Sequence, residues 1–183
     1  MHTSNPRFLF LLLMALFSLV GNPGTSRADA PGEYLEKAEL LYHFVNFVDW
    51  PSSAFKATDG RLRFCIIGKG PFGQTLEDTL AKKTIRERPF EIHRNPPKTE
   101  LQHCHVLYLP ASASQKLQAL RHRMAKEDVL TVGETLDFMK QGGMVQFFVD
   151  NQKIRFSVNP NAVNETNLKV SSKLLRLAKI YTP

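Results

Sequence analysis

Three glycines in the first half of the chain have the spacing of a phosphate-binding turn. Residues 68–73 read GKGPFG, a match to G-x-G-x-x-G that falls between a predicted strand and a predicted helix. Such turns bring backbone N–H groups at a helix N-terminus close to a pyrophosphate. Here Pro71 removes one donor, Phe72 is bulky, and the next predicted strand ends in His93 and Arg94 where an acidic residue is expected. We therefore predict a tight turn and no cofactor, with an anion or small ligand at the turn as the alternative. Its glycines are Gly68, Gly70 and Gly73.

The two cysteines are candidates for a disulfide bond. Cys65 lies within the first predicted strand, and Cys104 lies just before the third. Such strands are often neighbours in a doubly wound sheet, and thiols outside the cytoplasm can oxidise. A bridge between them would close a loop of about 39 residues and add roughly 4 kcal/mol of stability. Two buried, reduced thiols are the alternative.

Other patterns that support chemistry are incomplete. His103 and His105 flank Cys104 and share one face of a strand, but zinc needs three or four ligands and no other histidine has a matching spacing. The sequence has no G-x-S-x-G elbow and no H-E-x-x-H motif. We therefore predict no catalytic residues, no metal site and no enzymatic activity.

Hydrophobic spacing predicts a long first helix, from Pro31 to Trp50. A wide apolar stripe runs along it, wider than one buried face requires. The stripe is either a partner or dimer surface or is buried between the sheet and the terminal helix. Its members include Tyr34, Leu41, Val45 and Val48.

The rest of the chain alternates between predicted strands and helices. Strands are predicted at 61–67, 89–94, 106–109 and 129–132, and helices at 72–83, 114–124 and 135–140. A hairpin at 144–149 and 153–158 and a terminal helix at 171–180 follow. This order predicts a single three-layer α/β domain over residues 31–183. Its sheet is mostly parallel and flanked by helices, with a C-terminal antiparallel hairpin at one edge.

The first thirty residues have the composition of an export signal. Residues 8–20 are apolar except for Ser18, but a helix of that length rises only about 20 Å, which is too short to cross a bilayer. Helix breakers and the sequence ADA at 28–30 follow. We predict a secretory signal peptide over residues 1–30, cleaved after Ala30, with an uncleaved anchor as the alternative. The remaining chain would then be soluble and outside the cytoplasm, without direct membrane insertion.

Composition and charge exclude several classes of protein. The 183 residues are 43% hydrophobic and 22% charged, which is typical of a globular domain and excludes disordered and fibrous proteins. The net charge is +7, but the basic clusters are short and interrupted by acids. Aromatic and basic residues do not interleave as on a nucleic-acid platform, so we predict no nucleic-acid partner.

An ordered series of short segments resembles a known family across nearly all of residues 31–183. The first helix ends in FVDWP at 47–51, followed by LRFCIIG at 62–68 and CHVLY at 104–108. LTVG at 130–133, GGMV at 142–145, IRF at 154–156 and SSKLLRLA at 171–178 complete the series. The chain resembles the YfiR/HmsC-like family of exported bacterial proteins.

The resemblance implies a compact α/β domain in the periplasm of a Gram-negative bacterium. Members are non-enzymatic regulators that bind the periplasmic sensor part of an inner-membrane diguanylate cyclase and hold it inactive, which lowers cyclic di-GMP and biofilm formation. Cys65 and Cys104 match a family cysteine pair that can form a disulfide; a second pair found in some members is missing here. A second copy of the chain is a further candidate partner. The alternative function is a periplasmic sensor domain that binds a small ligand.

Overall fold

The computed structural model describes residues 32–122 and 128–183, and within these residues eight strands form one central sheet. The predicted signal peptide lies outside them. The strands of this sheet are β2 Leu62–Ile66, β3 Thr84–Ile85, β4 Arg88–Arg94, β5 Val106–Leu109, β6 Leu130–Gly133, β7 Val145–Asp150, β8 Lys153–Val158 and β10 Lys179–Ile180. Their order across the sheet is β10-β8-β7-β6-β5-β2-β4-β3. Strands β1 (Val48–Asp49) and β9 (Lys169–Val170) form a separate antiparallel pair.

The helices are short apart from the first. They are α1 Glu33–Val45, α2 Thr75–Leu80, α3 Leu117–Arg121, α4 Leu136–Lys140, α5 Pro160–Asn164 and α6 Ser172–Leu175. Within the described residues, three begin at a side-chain cap: Thr135 Oγ1 accepts from the Phe138 N–H at 3.1 Å, Asn159 Oδ1 from the Ala162 N–H at 3.2 Å, and Ser171 Oγ from the Lys173 N–H at 3.2 Å. No helix in the described ranges is long and apolar enough to cross a membrane.

Alternating side chains of the central strands supply two separate hydrophobic cores. Phe64 and Tyr108 point to the face covered by α1 and α2, whereas Cys65 and Leu107 point to the face covered by α3 and α4. Strands β2, β4, β5, β6 and β7 run parallel, and β7 pairs with β8 antiparallel. The structure therefore confirms a single three-layer α/β domain with a mostly parallel sheet and a C-terminal antiparallel strand pair.

The chain reverses direction across the sheet between β2 and β5. From β2 it continues to β4 on one side and then returns to β5 on the other side of β2. Helix α2, after β2, packs in one core, and α3, after β5, packs in the other. Such a switch point opens a crevice at the carboxyl ends of the strands, where ligands bind in many α/β proteins.

Three expected elements differ from the structure. The predicted terminal helix at 171–180 is wrong beyond Leu175, because the chain then extends, forms β10 and lets the Tyr181 N–H donate to the Val158 carbonyl at 2.8 Å. Strand β10 also covers part of β8, so the hairpin is not the outermost element of the sheet. The first helix ends at Val45, since Val48 pairs with Val170 instead of continuing the helix.

Candidate functional site

A buried lysine joins α1 to the carboxyl end of β6. Lys37 is almost fully buried, and its Nζ lies 2.7 Å from Glu33 Oε1. The same amine donates a hydrogen bond to Glu134, the residue that directly follows β6, and forms an ion pair with it. It also lies 4.4 Å from the centroid of the Tyr34 ring. One cation thus holds the first helix to the end of a central strand.

The surroundings of Glu134 complete this site. Its Oε2 accepts a hydrogen bond from the Ala111 N–H at 3.1 Å, just after β5. The fully buried Tyr108 of β5 lies beside the same carboxylate, but its hydroxyl makes no well-aligned hydrogen bond with it. We call this group the carboxyl-edge cluster; it consists of Glu33, Tyr34, Lys37, Tyr108 and Glu134.

The protonation states of the cluster limit its chemistry. Burial lowers the pKa of Lys37, but the hydrogen bonds and charges of Glu134 and Glu33 outweigh burial and raise it above its ordinary value. Burial raises the pKa of Tyr108 well above its ordinary value, and the Glu134 carboxylate raises it further. At neutral pH the site holds an ammonium and a neutral phenol, neither of which is a general base or an activated nucleophile. The arrangement therefore positions α1 on the sheet.

The glycine turn after β2 lies at the switch point, but an aromatic side chain fills the space beside it. Gly68 and Gly73 have φ angles of +88° and +50°, which explains the glycines at both ends of the motif. Phe72 is buried, with its ring centroid 5.4 Å from that of Tyr34 and 4.8 Å from that of Tyr108. The ring thus belongs to the hydrophobic core beneath α1 and α2.

Polar side chains from β4 and the following loop hold the turn closed. Asn95 Oδ1 accepts from the Gly68 N–H at 2.6 Å, and Asn95 Nδ2 donates to the Gly68 carbonyl at 3.1 Å. A Cβ on Gly70 would lie 2.7 Å from Ile66 Cγ2, so close packing explains the third glycine. The geometry supports the tight turn and leaves the Gly68 N–H already paired with protein.

The apolar stripe of α1 lies inside the protein. Leu41, Val45 and Val48 are each no more than 1% exposed, and Tyr34 is partly buried against the same core. The structure therefore supports the burial alternative for these residues. A partner or dimer surface would need these side chains to be accessible. The expectation that the stripe forms such a surface is therefore corrected. The stripe is wide because α1 packs on the sheet, on α2 and on the chain near α6.

The two cysteines form a disulfide between neighbouring strands. Cys65 in β2 and Cys104 just before β5 have Cα atoms 5.9 Å apart, and the two strands pair directly. The bridge lies in the core beneath α3 and α4, on the face opposite α1. The described residues contain no group of three His, Cys, Asp or Glu side chains placed to hold a metal ion.

His105 lies next to the disulfide and is a buried titratable group that the sequence patterns did not predict. Its Nδ1 accepts from the Arg63 N–H at 2.9 Å, and its ring stacks on Phe55 at 4.3 Å between centroids. The Nε2 side lies near the Ala54 backbone at a geometry short of a full hydrogen bond. Burial, reinforced by the charges of Arg63 and Arg88, lowers the pKa of His105 to about 4.

This low pKa predicts a loss of stability in acid. His105 is protonated near pH 6.5 in the unfolded chain but only near pH 4 in the folded protein. Its contribution to the free energy of unfolding is therefore fully present above pH 6.5 and falls by about 3 kcal/mol as the pH drops to 4. The variant His105→Asn keeps an acceptor for the Arg63 N–H but cannot titrate. Urea unfolding between pH 7 and pH 4 should give a flatter profile for this variant by about that amount. Parallel profiles for the two proteins would contradict the assignment.

A cleft of about 760 Å³ opens on the α3 and α4 face, away from the carboxyl-edge cluster. Met139 and Met144 form part of its apolar wall. Arg121 on its rim donates through Nη1 to the Gln141 carbonyl at 2.9 Å and forms an ion pair with Glu165. Local sequence patterns do not predict this cleft, because its walls come from α3, α4, α5 and the C-terminal residues.

Two solved structures share the fold at very low sequence identity. A conserved domain protein from Vibrio cholerae O1 biovar El Tor matches with a TM-score of 0.55 and 9% identity over 81% of this chain. The ABC domain from Streptococcus pneumonia, in complex with L-Trp, matches with a TM-score of 0.53 and 8% identity over 79% of this chain. The chain covers 60% of the length of each, and at this identity the likeness concerns the fold alone.

A family-level comparison gives a more specific result. A family model described as YfiR/HmsC-like matches residues 34–179, from the second residue of α1 to the first residue of β10. The matched range contains the whole carboxyl-edge cluster except Glu33, together with both cysteines and the turn at 68–73. The chain therefore belongs to the YfiR/HmsC-like family.

Proposed function

We propose that this protein is a non-enzymatic periplasmic regulator that binds the periplasmic sensor region of an inner-membrane diguanylate cyclase and represses it. The observation that carries the proposal is the family match over residues 34–179, since the family supports a periplasmic regulatory role in cyclic di-GMP signalling in general. Repression would lower cyclic di-GMP and restrain biofilm formation. The lysine and tyrosine of the carboxyl-edge cluster are held in unreactive states, which supports the non-enzymatic part of the proposal.

Repression by binding requires a preference for one state of the partner. A regulator that binds the inactive sensor more tightly than the active one shifts the equilibrium by its difference in affinity. Moving a sensor from almost fully active to almost fully inactive takes a preference of about 10⁴-fold. The regulator must also reach the periplasm, so the proposal includes cleavage after Ala30. N-terminal sequencing of the periplasmic protein should then begin at Pro31, and a full-length cytosolic protein would contradict export.

Cellular cyclic di-GMP tests the regulatory proposal directly. Deleting the gene should raise cyclic di-GMP, measured by mass spectrometry, because the cyclase loses its repressor. Expression of the intact chain should restore the lower level, whereas a chain without residues 1–30 should not. In a strain whose partner cyclase carries an inactivated GGDEF site, the deletion should have no effect. An unchanged cyclic di-GMP level on deletion in the presence of an active cyclase would refute the proposal.

The cleft supports a second candidate function, a sensor domain that binds a small ligand. Its volume suits a small molecule, and Arg121 and Glu165 supply opposite charges on its rim. One of the structural neighbours described above is in complex with L-Trp, which makes free amino acids the first probes. A thermal-shift screen with amino acids and nucleotides tests this function, because a bound ligand raises the unfolding temperature. A rise in unfolding temperature that persists in the Arg121→Met variant would not come from binding in this cleft.

A further inference from the structure

The edge of the sheet formed by β8 and β10 is only partly covered. Strand β10 pairs with β8 at Ser157 and Val158, while β8 itself begins at Lys153. Within the described residues, the earlier part of β8 therefore has β7 on one side and no strand on the other. A sheet edge of this kind can accept an added strand.

The backbone register indicates which groups are available. The Asn159 N–H donates to the Met144 carbonyl, and the Tyr181 N–H donates to the Val158 carbonyl, each at 2.8 Å. The backbone N–H and carbonyl of Val158 therefore point away from β7. Because this direction alternates along an antiparallel strand, Ile154 and Phe156 direct theirs the same way. The Ile154 backbone and the Phe156 N–H are thus free to pair with an incoming chain.

The charged side chains along this edge are all basic. Lys153, Arg155, Arg176 and Lys179 are all exposed, and none forms an ion pair within the described residues. Lys179 lies 5.9 Å from the centroid of the Phe148 ring, so its stem rests on the sheet. An acid, Asp150 at the end of β7, is paired in register with Lys153 at the hairpin end.

The opposite edge of the sheet, formed by β3 and β4, provides a comparison within the same molecule. There Lys83 pairs with Glu39, Arg86 with Asp49, and Arg94 with Glu77. Three cations near the β3–β4 edge are thus paired with acids of the same protein, whereas the four cations of the β8–β10 edge form no ion pair within the described residues. The unpaired cations lie beside two exposed apolar side chains, Leu177 at 74% and Ile180 at 45% exposure.

We infer that the β8–β10 edge binds an extended acidic segment of a partner protein, which adds to the sheet beside β8. The free backbone groups of Ile154 and Phe156 would form the hydrogen bonds, the four cations would select carboxylates, and Leu177 and Ile180 would contact apolar side chains. The inference depends on the proposed function in one respect only, namely which protein carries the acidic segment. It places the partner surface away from the buried stripe of α1.

The charges of the edge favour this occupant over two others. A second copy of the chain would bring the same four cations against them, and like charges placed opposite each other are unfavourable. A lipid surface would satisfy the cations but would leave the strand's backbone groups unpaired. An acidic segment in strand conformation satisfies both.

Synthetic peptides test the inference. The probe is a fluorescein-labelled peptide of about eight residues that alternates Glu and Val, and its partner probe carries the same charges with Pro in place of each Val. We expect the alternating peptide to raise the fluorescence anisotropy and to slow hydrogen exchange at the Ile154 and Phe156 amides. The proline peptide should bind at least about tenfold more weakly, because it cannot pair with a strand.

Charge-reversal variants identify the surface. The double variant Arg155→Glu with Lys179→Glu should weaken the alternating peptide at least about tenfold, and high salt should do the same in the unchanged protein. The double variant Lys82→Glu with Lys98→Glu is the matched control, since both lysines are exposed, unpaired and close in sequence to the β3–β4 edge. It should change binding by less than about twofold. Circular dichroism checks that both variants are folded.

Four results would overturn the inference. They are equal binding of the two peptides, no loss of binding in the edge variant, no exchange protection at Ile154 and Phe156, and edge protection caused by a concentration-dependent dimer. Binding of phosphatidylglycerol vesicles that depends on Arg155 and Lys179, without peptide binding, would assign the surface to lipid and overturn it as well. A negative peptide result leaves the cyclic di-GMP experiment unaffected, and an unchanged cyclic di-GMP level leaves the peptide result standing.

Discussion

Replacing Lys37 by methionine should lower the free energy of unfolding by about 3–5 kcal/mol. The side chains of Glu33 and Glu134 are only 13% and 9% exposed, and both use the Lys37 ammonium as their counter-charge. Without it, two carboxylates remain largely buried and unpaired, which is far more costly than the loss of one surface ion pair. Urea unfolding at neutral pH, followed by circular dichroism, measures the change.

A second substitution separates the loss of a charge partner from the loss of packing. Adding Glu134→Gln to Lys37→Met removes one of the two buried carboxylates that have lost their counter-charge. The double variant should therefore be more stable than Lys37→Met alone. The exposed and unpaired Lys82 provides the control, because Lys82→Met should change stability by less than about 0.5 kcal/mol. A Lys37→Met protein as stable as the Lys82→Met protein would show that the carboxyl-edge cluster contributes little to the fold.

Reducing the Cys65–Cys104 bridge should lower the stability by about 4 kcal/mol, because the bridge closes a loop with a sequence separation of 39 residues in the unfolded chain. Unfolding curves with and without a reductant measure this difference. The double variant Cys65→Ala with Cys104→Ala should resemble the reduced protein and should not respond to the reductant.

Mass spectrometry provides the independent check on the bridge. Non-reduced protein should be lighter by two hydrogen atoms than reduced protein, and a tryptic digest should contain the two cysteine peptides joined. Two free thiols in protein purified from the periplasm would contradict the bridge. An unfolding curve that does not respond to the reductant, despite an intact bridge, would contradict the stability estimate.

Local patterns predicted the six longer strands but not the two-residue strands β1, β3, β9 and β10, which are defined by their pairing partners. The run VLYL matches the observed bounds of β5, Val106–Leu109, and the two arms of the hairpin lie within one residue of β7 and β8. The terminal segment failed for a physical reason. Its leucines have helical spacing, but the open edge of β8 offers backbone hydrogen bonds that the last residues satisfy as a strand. Tertiary pairing thus overrides a local preference.

The candidate site was less accessible to sequence reasoning than the fold. The spacing of Glu33 and Lys37 is a visible helical pair, but the decisive partner, Glu134, is 97 residues away from Lys37. No local pattern reports such a contact. The glycine motif was visible, whereas the position of Phe72 between Tyr34 and Tyr108 depends on three separate elements. The low pKa of His105 likewise depends on burial and on Arg63 and Arg88, which only the folded chain brings together.

The strand order has a consequence for how the sheet can grow when the chain folds. On one side of β2, the spatial order β5-β6-β7-β8-β10 is the order in which these strands are synthesised. Both cysteines precede β5 in the chain, so the residues that the disulfide links come before every strand on that side of β2. Each later strand then docks on the most recent one, and growth of the sheet in that direction needs no rearrangement of earlier pairs.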